Sequence, residues 1–175
     1  MRRALLACSI WLVFFGCVSC SPAQAPPASA PSALLSQGAP ELHRPALDSS
    51  AAGAPMSLMS LRELRGRIVI VDFFAEYCQP CLRALPELEQ LRQRRADIEI
   101  IGVAEDLDPD TSLRLVQRLR LGFKVVYDRD HVLAGRYRVD GLPATFVLDR
   151  AGIVRWVSNG AVERAPLEAV LHSLE

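Results

Sequence analysis

The sequence predicts an α/β domain, a three-layer sandwich in which a mixed central sheet lies between two layers of helices. Apolar, strand-like runs alternate with helical runs from about residue 68 to about residue 139. The run 68–74 is apolar on both faces apart from Asp72, which is typical of a strand in the middle of a covered sheet. Two strands joined by a short turn, and then a helix, end the chain. This order of elements favours a mixed sheet flanked by helices.

The first helix of the domain is predicted over residues 79–95. Leucines recur roughly every third residue from Leu82 to Leu91, and arginines and glutamates stand between them. This spacing puts an apolar stripe on one side of a helix, facing the core. The apolar run 98–104 follows directly and predicts a second buried strand.

The second half of the domain repeats the alternation and ends with a hairpin. Asp108 followed by Pro109 is a helix cap with a proline at the first helical position. A turn through Ala151 and Gly152 joins the last two strands. The predicted elements are a helix from 109 to about 119, a strand at 123–128, a short helix at 131–139, strands at 143–149 and 153–159, and a helix opened by Pro166.

Charge and composition exclude some classes of partner. The chain has 175 residues, half of them hydrophobic, with 20 basic and 20 acidic residues and a net charge of zero. A real core can therefore form, and neither a nucleic-acid footprint nor a cleft for acidic substrates is indicated. We expect a monomer that acts on proteins or small thiols and does not bind nucleic acid.

Residues 1–20 have the layout of an export signal. Met1, Arg2 and Arg3 precede an uncharged apolar run over 4–18, which is shorter than the roughly 20 residues that a membrane span needs. Small residues and cysteines follow. If the protein is exported, the domain lies in an oxidising compartment.

Two cysteines at the end of this segment are candidates for lipidation. The stretches ending at Cys17 and Cys20 resemble the lipobox of bacterial lipoproteins, although neither begins with the preferred leucine. The alternatives are an uncleaved signal anchor and a soluble exported protein cut after Ala25, where the following Pro26 is unfavourable. We expect an exported, lipid-anchored protein on the periplasmic side of the cell envelope, with the lipid on Cys20 or Cys17.

Residues 21–38 predict a tether between this signal and the folded domain, which we place at 39–175. Residues 21–40 contain six alanines, five prolines and four serines. Such a composition neither forms a core nor sustains a helix. At about 3.1 Å per residue, a polyproline-like tether of this length would hold the domain on the order of 50 Å from a membrane.

Cys78 and Cys81 are the two cysteines of the folded part, and they lie two residues apart at the predicted start of a helix. A sulfur at Cys78 would lie near unpaired backbone N–H groups and the positive end of the helix dipole, which favours the thiolate. Cys81, one turn further on, would face the body of the protein and attack second. Pro80 restricts the backbone between them and keeps the dithiol and disulfide geometries close.

Other roles for this pair stay open at this point. A structural disulfide would close so small a loop that it adds little stability. A zinc site needs four ligands, but the domain has no second CxxC and only His43, His131 and His172. A copper site could use both sulfurs and His131. A thiol peroxidase is disfavoured because Ala75 stands where a threonine or serine would precede the reactive cysteine.

The stretch VDFFAEYCQPC is similar to the thioredoxin active site, with Phe74 and Tyr77 where that family usually has tryptophans. The stretch YRVDGLPATFVLDRAG, together with the segment 39–66, resembles thioredoxin-like proteins of the TlpA/ResA type, which are membrane-tethered disulfide reductases of bacterial envelopes. The resemblance covers residues 39–175. It implies a thioredoxin-like fold, a redox-active Cys78–Cys81 disulfide in place of a cofactor, and no bound metal.

The resemblance also implies roles for residues around the cysteines. Pro143 corresponds to the cis-proline beside which the substrate main chain binds, with Leu142 before it. Asp72 corresponds to the buried acid that helps to deprotonate the resolving cysteine, and burial should raise its pKa toward neutrality. The active-site surface would consist of Tyr77, Gln79, Pro80 and Leu142.

One position departs from the pattern of the TlpA/ResA type. Many of these proteins carry a glutamate three residues after the second cysteine, where this chain has Ala84. Whatever that acid contributes is absent here unless Asp72 replaces it.

The expected function is thiol-disulfide exchange, with Cys78 as nucleophile and Cys81 as resolving cysteine. The resemblance implies a reductase that receives electrons from a membrane donor of the DsbD/CcdA type. Its substrates would be disulfide-bearing envelope proteins in cytochrome c or metal-site maturation. The alternative is a copper metallochaperone that uses Cys78, Cys81 and His131.

Overall fold

A computed structural model of the protein describes residues 28–47 and 58–175. The predicted signal segment 1–20, with Cys17 and Cys20, and most of the tether lie outside these residues. Among the described residues, no helix combines the length and the apolar composition that a membrane crossing requires.

Seven strands and four α-helices make up the described chain. The strands are β1 Arg44–Pro45, β2 Leu58–Met59, β3 Ile68–Phe74, β4 Ile98–Ala104, β5 Lys124–Tyr127, β6 Ala144–Leu148 and β7 Val154–Asn159. The helices are α1 Gln79–Arg94, α2 Pro109–Leu119, α3 Val132–Tyr137 and α4 Arg164–Ser173. Helix α4 begins two residues before Pro166, which the first turn tolerates because N–H groups there have no helical partner.

Five strands form the central sheet in the order β5-β4-β3-β6-β7. Strands β3, β4 and β5 are parallel, whereas β6 is antiparallel to β3 and β7 is antiparallel to β6. The predicted mixed sheet is therefore confirmed. The register sets Asp72 of β3 opposite Thr145 of β6.

Strand β3 is buried on both faces because a separate core packs on each side of the sheet. Ile70 and Phe74 point to one side and share a core with residues of α1, α2 and α4. Phe73 points to the other side, where its ring packs on Tyr137 of α3 and on Phe146, with centroids 5.1 and 5.8 Å away. This arrangement explains the apolar run, interrupted only by Asp72, that predicted the strand.

The described end of the predicted tether is attached to the domain. The N–H groups of Ala30 and Ser36 donate to the carbonyls of Val157 and Val154, both at 2.8 Å. The Val157 N–H in turn donates to the hydroxyl of Ser29 at 2.8 Å. Residues 29–39, which we call the strap, therefore cover the open edge of β7, whose backbone groups would otherwise lack partners. The domain boundary predicted between residues 38 and 39 stays a prediction, and residues of the predicted tether contact the domain on its amino-terminal side.

Candidate active site

The two cysteines lie at the N-terminus of α1 and are joined by a disulfide bond. Cys78 is the N-cap residue, and its sulfur accepts a hydrogen bond from the backbone N–H of Cys81 at 3.2 Å. Cys78 retains 7% of its surface exposed, whereas Cys81 is fully buried. Cys78 is therefore the more accessible of the two cysteines.

The surroundings of Cys78 favour a negative charge on its sulfur. The sulfur lies at the positive end of a 16-residue helix. The first turn of that helix, residues 79–82, contains no acidic side chain that would oppose the charge. The N–H of Cys81 already points at the sulfur, so the thiolate of the reduced protein would find a hydrogen-bond donor in place.

A buried acid holds the loop that leads into Cys78. Asp106, which follows β4, accepts the backbone N–H of Glu76 at 2.8 Å. Its other carboxylate oxygen accepts the hydroxyl of Ser112 in α2 at 2.6 Å. The loop before the nucleophile is thus tied to a neighbouring strand and helix, which keeps the position of Cys78 defined.

The predicted surface residues lie around the cysteine pair. Tyr77 is 67% exposed, Gln79 is exposed and Pro80 is half-buried. Leu142 is half-buried and packs against the core cluster that contains both cysteines. The peptide bond between Leu142 and Pro143 is cis.

Asp72 is buried on the face of β3 that packs against α1. Its Oδ1 accepts the hydroxyl of Thr145 at 2.6 Å, while its Oδ2 has no hydrogen-bond partner among the described residues. Burial raises the pKa of Asp72 to about 7, although the hydrogen bond from Thr145 acts in the opposite direction. This carboxyl group can therefore gain or lose a proton near neutral pH.

Ala84 faces the same space as Asp72. Both residues line a small cavity between β3, α1 and α4, whose volume is about 20 Å³. The helix thus contributes a methyl group to this cavity, and the buried carboxyl group comes from the strand.

A further buried acid near the cysteine pair, Glu105, is absent from the residues that the sequence predicted for the site. It follows β4 directly, is 3% exposed, and lines a cleft together with Tyr77, Leu142 and His131. Its Oε2 contacts Nδ1 of His131, and its Oε1 has no partner among the described residues. A signal was present, because Glu105 and Asp106 stand at the carboxyl end of a buried strand beside the strand that leads to Cys78.

The Glu105–His131 contact changes the proton affinity of both groups. Burial is the main cause that raises the pKa of Glu105. The hydrogen bond with Glu105 is the main cause that raises the pKa of His131. Asp128 also lies near Glu105 and His131. Its carboxylate accepts hydrogen bonds from the N–H groups of Leu133 and Ala134 at the start of α3.

The copper alternative is not supported by this arrangement. Its three proposed ligands are not assembled, because the sulfurs of Cys78 and Cys81 are bonded to each other and His131 is turned to Glu105. Among residues 28–47 and 58–175, no cluster of three or more potential metal ligands occurs.

Comparisons with known proteins agree with the geometry. The sequence matches the AhpC/TSA family over residues 36–157. Thiol-disulfide oxidoreductase ResA of Geobacillus kaustophilus (strain HTA426) is 30% identical over 118 residues, which cover 66% of this chain and 67% of the relative. Thioredoxin-like protein YneN of Bacillus subtilis (strain 168) is 26% identical over 116 residues, covering 64% of this chain and 68% of the relative.

Solved structures share the fold. A DsbF homologue from Corynebacterium diphtheriae superposes with a TM-score of 0.70 at 20% identity, covering 79% of this chain and 87% of its own. A thiol:disulfide interchange protein from Chlorobium tepidum TLS gives a TM-score of 0.68 at 21% identity, covering 84% and 99%.

A CxxC disulfide at the N-terminus of a helix, on a mixed five-stranded sheet of thioredoxin type, defines a thiol-disulfide oxidoreductase. The chain belongs to the AhpC/TSA family, and its similarity to ResA proteins confirms the resemblance to the TlpA/ResA type.

Proposed function

We propose that the protein reduces disulfide bonds of other envelope proteins, with Cys78 as the nucleophile and Cys81 as the resolving cysteine. The observation that carries this proposal is the unequal exposure of the two sulfurs at the helix N-terminus: Cys78 is partly exposed and Cys81 is fully buried.

The reaction begins with the reduced dithiol. The Cys78 thiolate attacks one sulfur of the substrate disulfide, forms a mixed disulfide and releases the first substrate thiolate. The Cys81 thiolate then attacks the Cys78 sulfur, closes the Cys78–Cys81 disulfide and releases the second substrate thiolate. Two electrons pass to the substrate, and a membrane donor must supply two further electrons that reduce the Cys78–Cys81 disulfide before the next cycle.

Asp72 serves as the proton acceptor for Cys81 in the second step. Its pKa of about 7 suits proton exchange near neutral pH. Asp72 lies on the face of β3 toward α1, the helix that carries Cys81. A neutral Asp72 would leave the Cys81 thiol protonated, whereas an ionised Asp72 would accept its proton.

The substrate chain binds in an extended form beside Leu142 and Pro143. The Pro143 carbonyl already accepts the N–H of Gly160 at 2.8 Å, and a proline has no N–H to offer. We therefore expect the main-chain contacts to come from the residues before Pro143. The exposed ring of Tyr77 would cover the other side of the substrate.

The cellular setting follows from the export signal and the resemblance. We place the protein in the cell envelope, anchored by lipid on Cys20 or Cys17, with a DsbD/CcdA-type membrane protein as its electron donor. Disulfide-bearing proteins in cytochrome c or metal-site maturation are the proposed substrates.

Two measurements test this function. The reduction potential of the Cys78–Cys81 pair, titrated against glutathione or dithiothreitol, should lie nearer the value of about −270 mV for thioredoxin than that of about −120 mV for DsbA. The variant Cys81→Ser should accumulate mixed disulfides with envelope proteins, because the resolving thiol is missing. A variant with both cysteines replaced by serine is the matched control.

Two results would contradict the proposal. A strongly oxidising potential would reverse the direction of electron flow. The absence of disulfide-linked adducts on Cys81→Ser, together with a wild-type protein that reduces no disulfide, would remove the function itself.

A further inference from the structure

The free oxygen of Asp72 requires a polar partner that the described residues do not provide. Oδ1 is satisfied by Thr145, but Oδ2 is buried without a hydrogen bond. A buried polar atom without a partner costs on the order of 1–3 kcal/mol, and more when it is charged. Native structures commonly satisfy such atoms with an ordered water.

The cavity beside Asp72 has room for that water. Its volume of about 20 Å³ exceeds the roughly 10–15 Å³ that one water molecule needs. Ala84 forms part of the wall, and a longer side chain at this position would fill the space. Leu88 and Leu167 supply apolar wall on the α1 and α4 sides.

Charged side chains also line this cavity. Glu87 comes from α1, whereas Arg164 and Glu168 come from α4. The Arg164 guanidinium contacts the Glu87 carboxylate at 2.5 Å, and both side chains are close to half exposed to solvent. The same cavity therefore borders both a fully buried carboxyl group and a solvated ion pair.

We propose that this cavity is the proton exit of Asp72, in which one water bound to Oδ2 carries the proton between the buried carboxyl group and solvent beside the Glu87–Arg164 pair. The inference rests on the proposed function, in which Asp72 accepts the proton of Cys81. It adds the route by which Asp72 returns to its ionised form after each cycle.

The proton transfers balance without any further reactant. Cys81 gives its proton to the Asp72 carboxylate, which becomes a carboxylic acid while the disulfide closes. The acid then gives a proton to the cavity water, and that water passes one of its own to bulk water. No electrons move in this step.

Besides the cavity water, the side chains that face Asp72 could influence its protonation. Thr145 faces it from β6, and Gly102 of β4 has no side chain. The titratable groups on the cavity wall are Glu87 from α1 and Arg164 and Glu168 from α4. These three side chains are exposed, so the cavity wall that they form borders bulk water.

Infrared difference spectroscopy tests the route directly. The carbonyl band of the protonated Asp72 carboxyl group shifts when its hydrogen is replaced by deuterium, and the band is assigned by its loss in Asp72→Asn. The oxidised protein is mixed with heavy water at a pD near 6, where the carboxyl group is protonated, and the rate of the shift is recorded.

The variant Ala84→Leu should fill the cavity and slow this exchange at least tenfold, whereas Ala84→Ser, the matched control, should exchange as fast as the wild type. Val162→Leu should fill the same cavity from the loop before α4. If Ala84→Leu does not fold, the exchange rate of Val162→Leu is compared with that of the wild type instead. Exchange as fast as the wild type in the folded filled variants would overturn the proposal.

This test separates the exit route from the proposed function. The exchange is measured on the oxidised protein without any substrate, so it does not depend on reductase activity. If the wild type reduces no disulfide but the filled variants still slow exchange, the proposed function fails and the route stands.

Discussion

The backbone N–H of Cys81 points at the sulfur of Cys78 from a distance of 3.2 Å, within the first turn of α1. Cys81 thus supplies both the sulfur that we propose as the resolving one and a hydrogen-bond donor to the proposed nucleophile. The other N–H groups of the first turn form the positive end of the helix dipole and also favour the thiolate once the disulfide is reduced.

Replacing Asp72 should remove one titration step from the curve of turnover rate against pH. We expect the rate of the wild type to rise as the pH passes about 7, because ionised Asp72 accepts the Cys81 proton. In Asp72→Asn this step should vanish, and turnover at pH 7 should fall by roughly 10²-fold, the lower end of the range of about 10²–10⁴-fold typical of general-base catalysis. Steady-state reduction of a disulfide substrate between pH 5.5 and 9 measures it.

Thr145→Val is the companion variant for this prediction. It removes the hydrogen bond that holds the pKa of Asp72 down, so the midpoint should move to higher pH while the step itself remains. Identical profiles for the wild type and both variants would show that Asp72 takes no part in proton transfer.

Asp72 should also make the folded protein less stable at higher pH. Its pKa in the folded state, about 7, lies above its ordinary value of 3.8, so the folded state binds more protons between these values. The contribution of Asp72 to the free energy of unfolding is therefore fully present below about pH 4. This contribution is lost as the pH rises through about 7. At about 1.4 kcal/mol per pKa unit, the loss reaches at most about 4 kcal/mol.

Urea unfolding of the wild type and of Asp72→Asn at pH 5 and pH 8 checks this sign. The unfolding free energy of the wild type minus that of Asp72→Asn should be larger at pH 5 than at pH 8. Other titrating groups, including Glu105, contribute equally to both proteins, so their contributions cancel in this difference. A difference that is independent of pH would show that the pKa of Asp72 is not raised.

His131 should respond to the removal of its partner. Because the hydrogen bond with Glu105 raises the pKa of His131, the variant Glu105→Gln should lower that pKa. The imidazole resonances in an NMR pH titration measure the change. His172, which contacts Glu175 instead, is the internal control in the same spectra. An unchanged His131 titration would mean that the contact does not persist in solution.

The strap should contribute to stability. Its hydrogen bonds to β7 contribute about 1 kcal/mol each, and Ala30, Leu34 and Leu35 pack against the core. A chain that begins at residue 40 should therefore lose about 2 kcal/mol or more relative to one that begins at residue 28, and should aggregate more readily through the open edge. Equal melting temperatures would show that the strap is a free tether after all.

The sequence was most informative where neighbours along the chain determine the structure. The apolar run of β3 and the cap at Asp108 depend on local pattern, and both elements form as predicted. The cysteine pair was recognisable because its spacing places both sulfurs on one helical turn.

The rest depends on contacts between distant parts of the chain. The Glu105–His131 contact joins residues 26 positions apart, so the pattern of neither segment shows that these two side chains meet. The cavity beside Asp72 exists because α1 and α4 pack on β3 with Ala84 at the contact. The strap has a composition typical of a linker, and its backbone partners in the rest of the domain come from the edge strand β7 and the turn before it.

The pH dependence of alkylation of reduced Cys78 tests the central claim most directly. Iodoacetamide rates on the reduced protein, with the labelled cysteine identified by mass spectrometry, should give a midpoint well below the ordinary thiol pKa of about 8.5, and Cys78 should be labelled before Cys81. A midpoint at or above about 8.5, or equal labelling of the two cysteines in the folded protein, would contradict the assignment of Cys78 as an activated nucleophile.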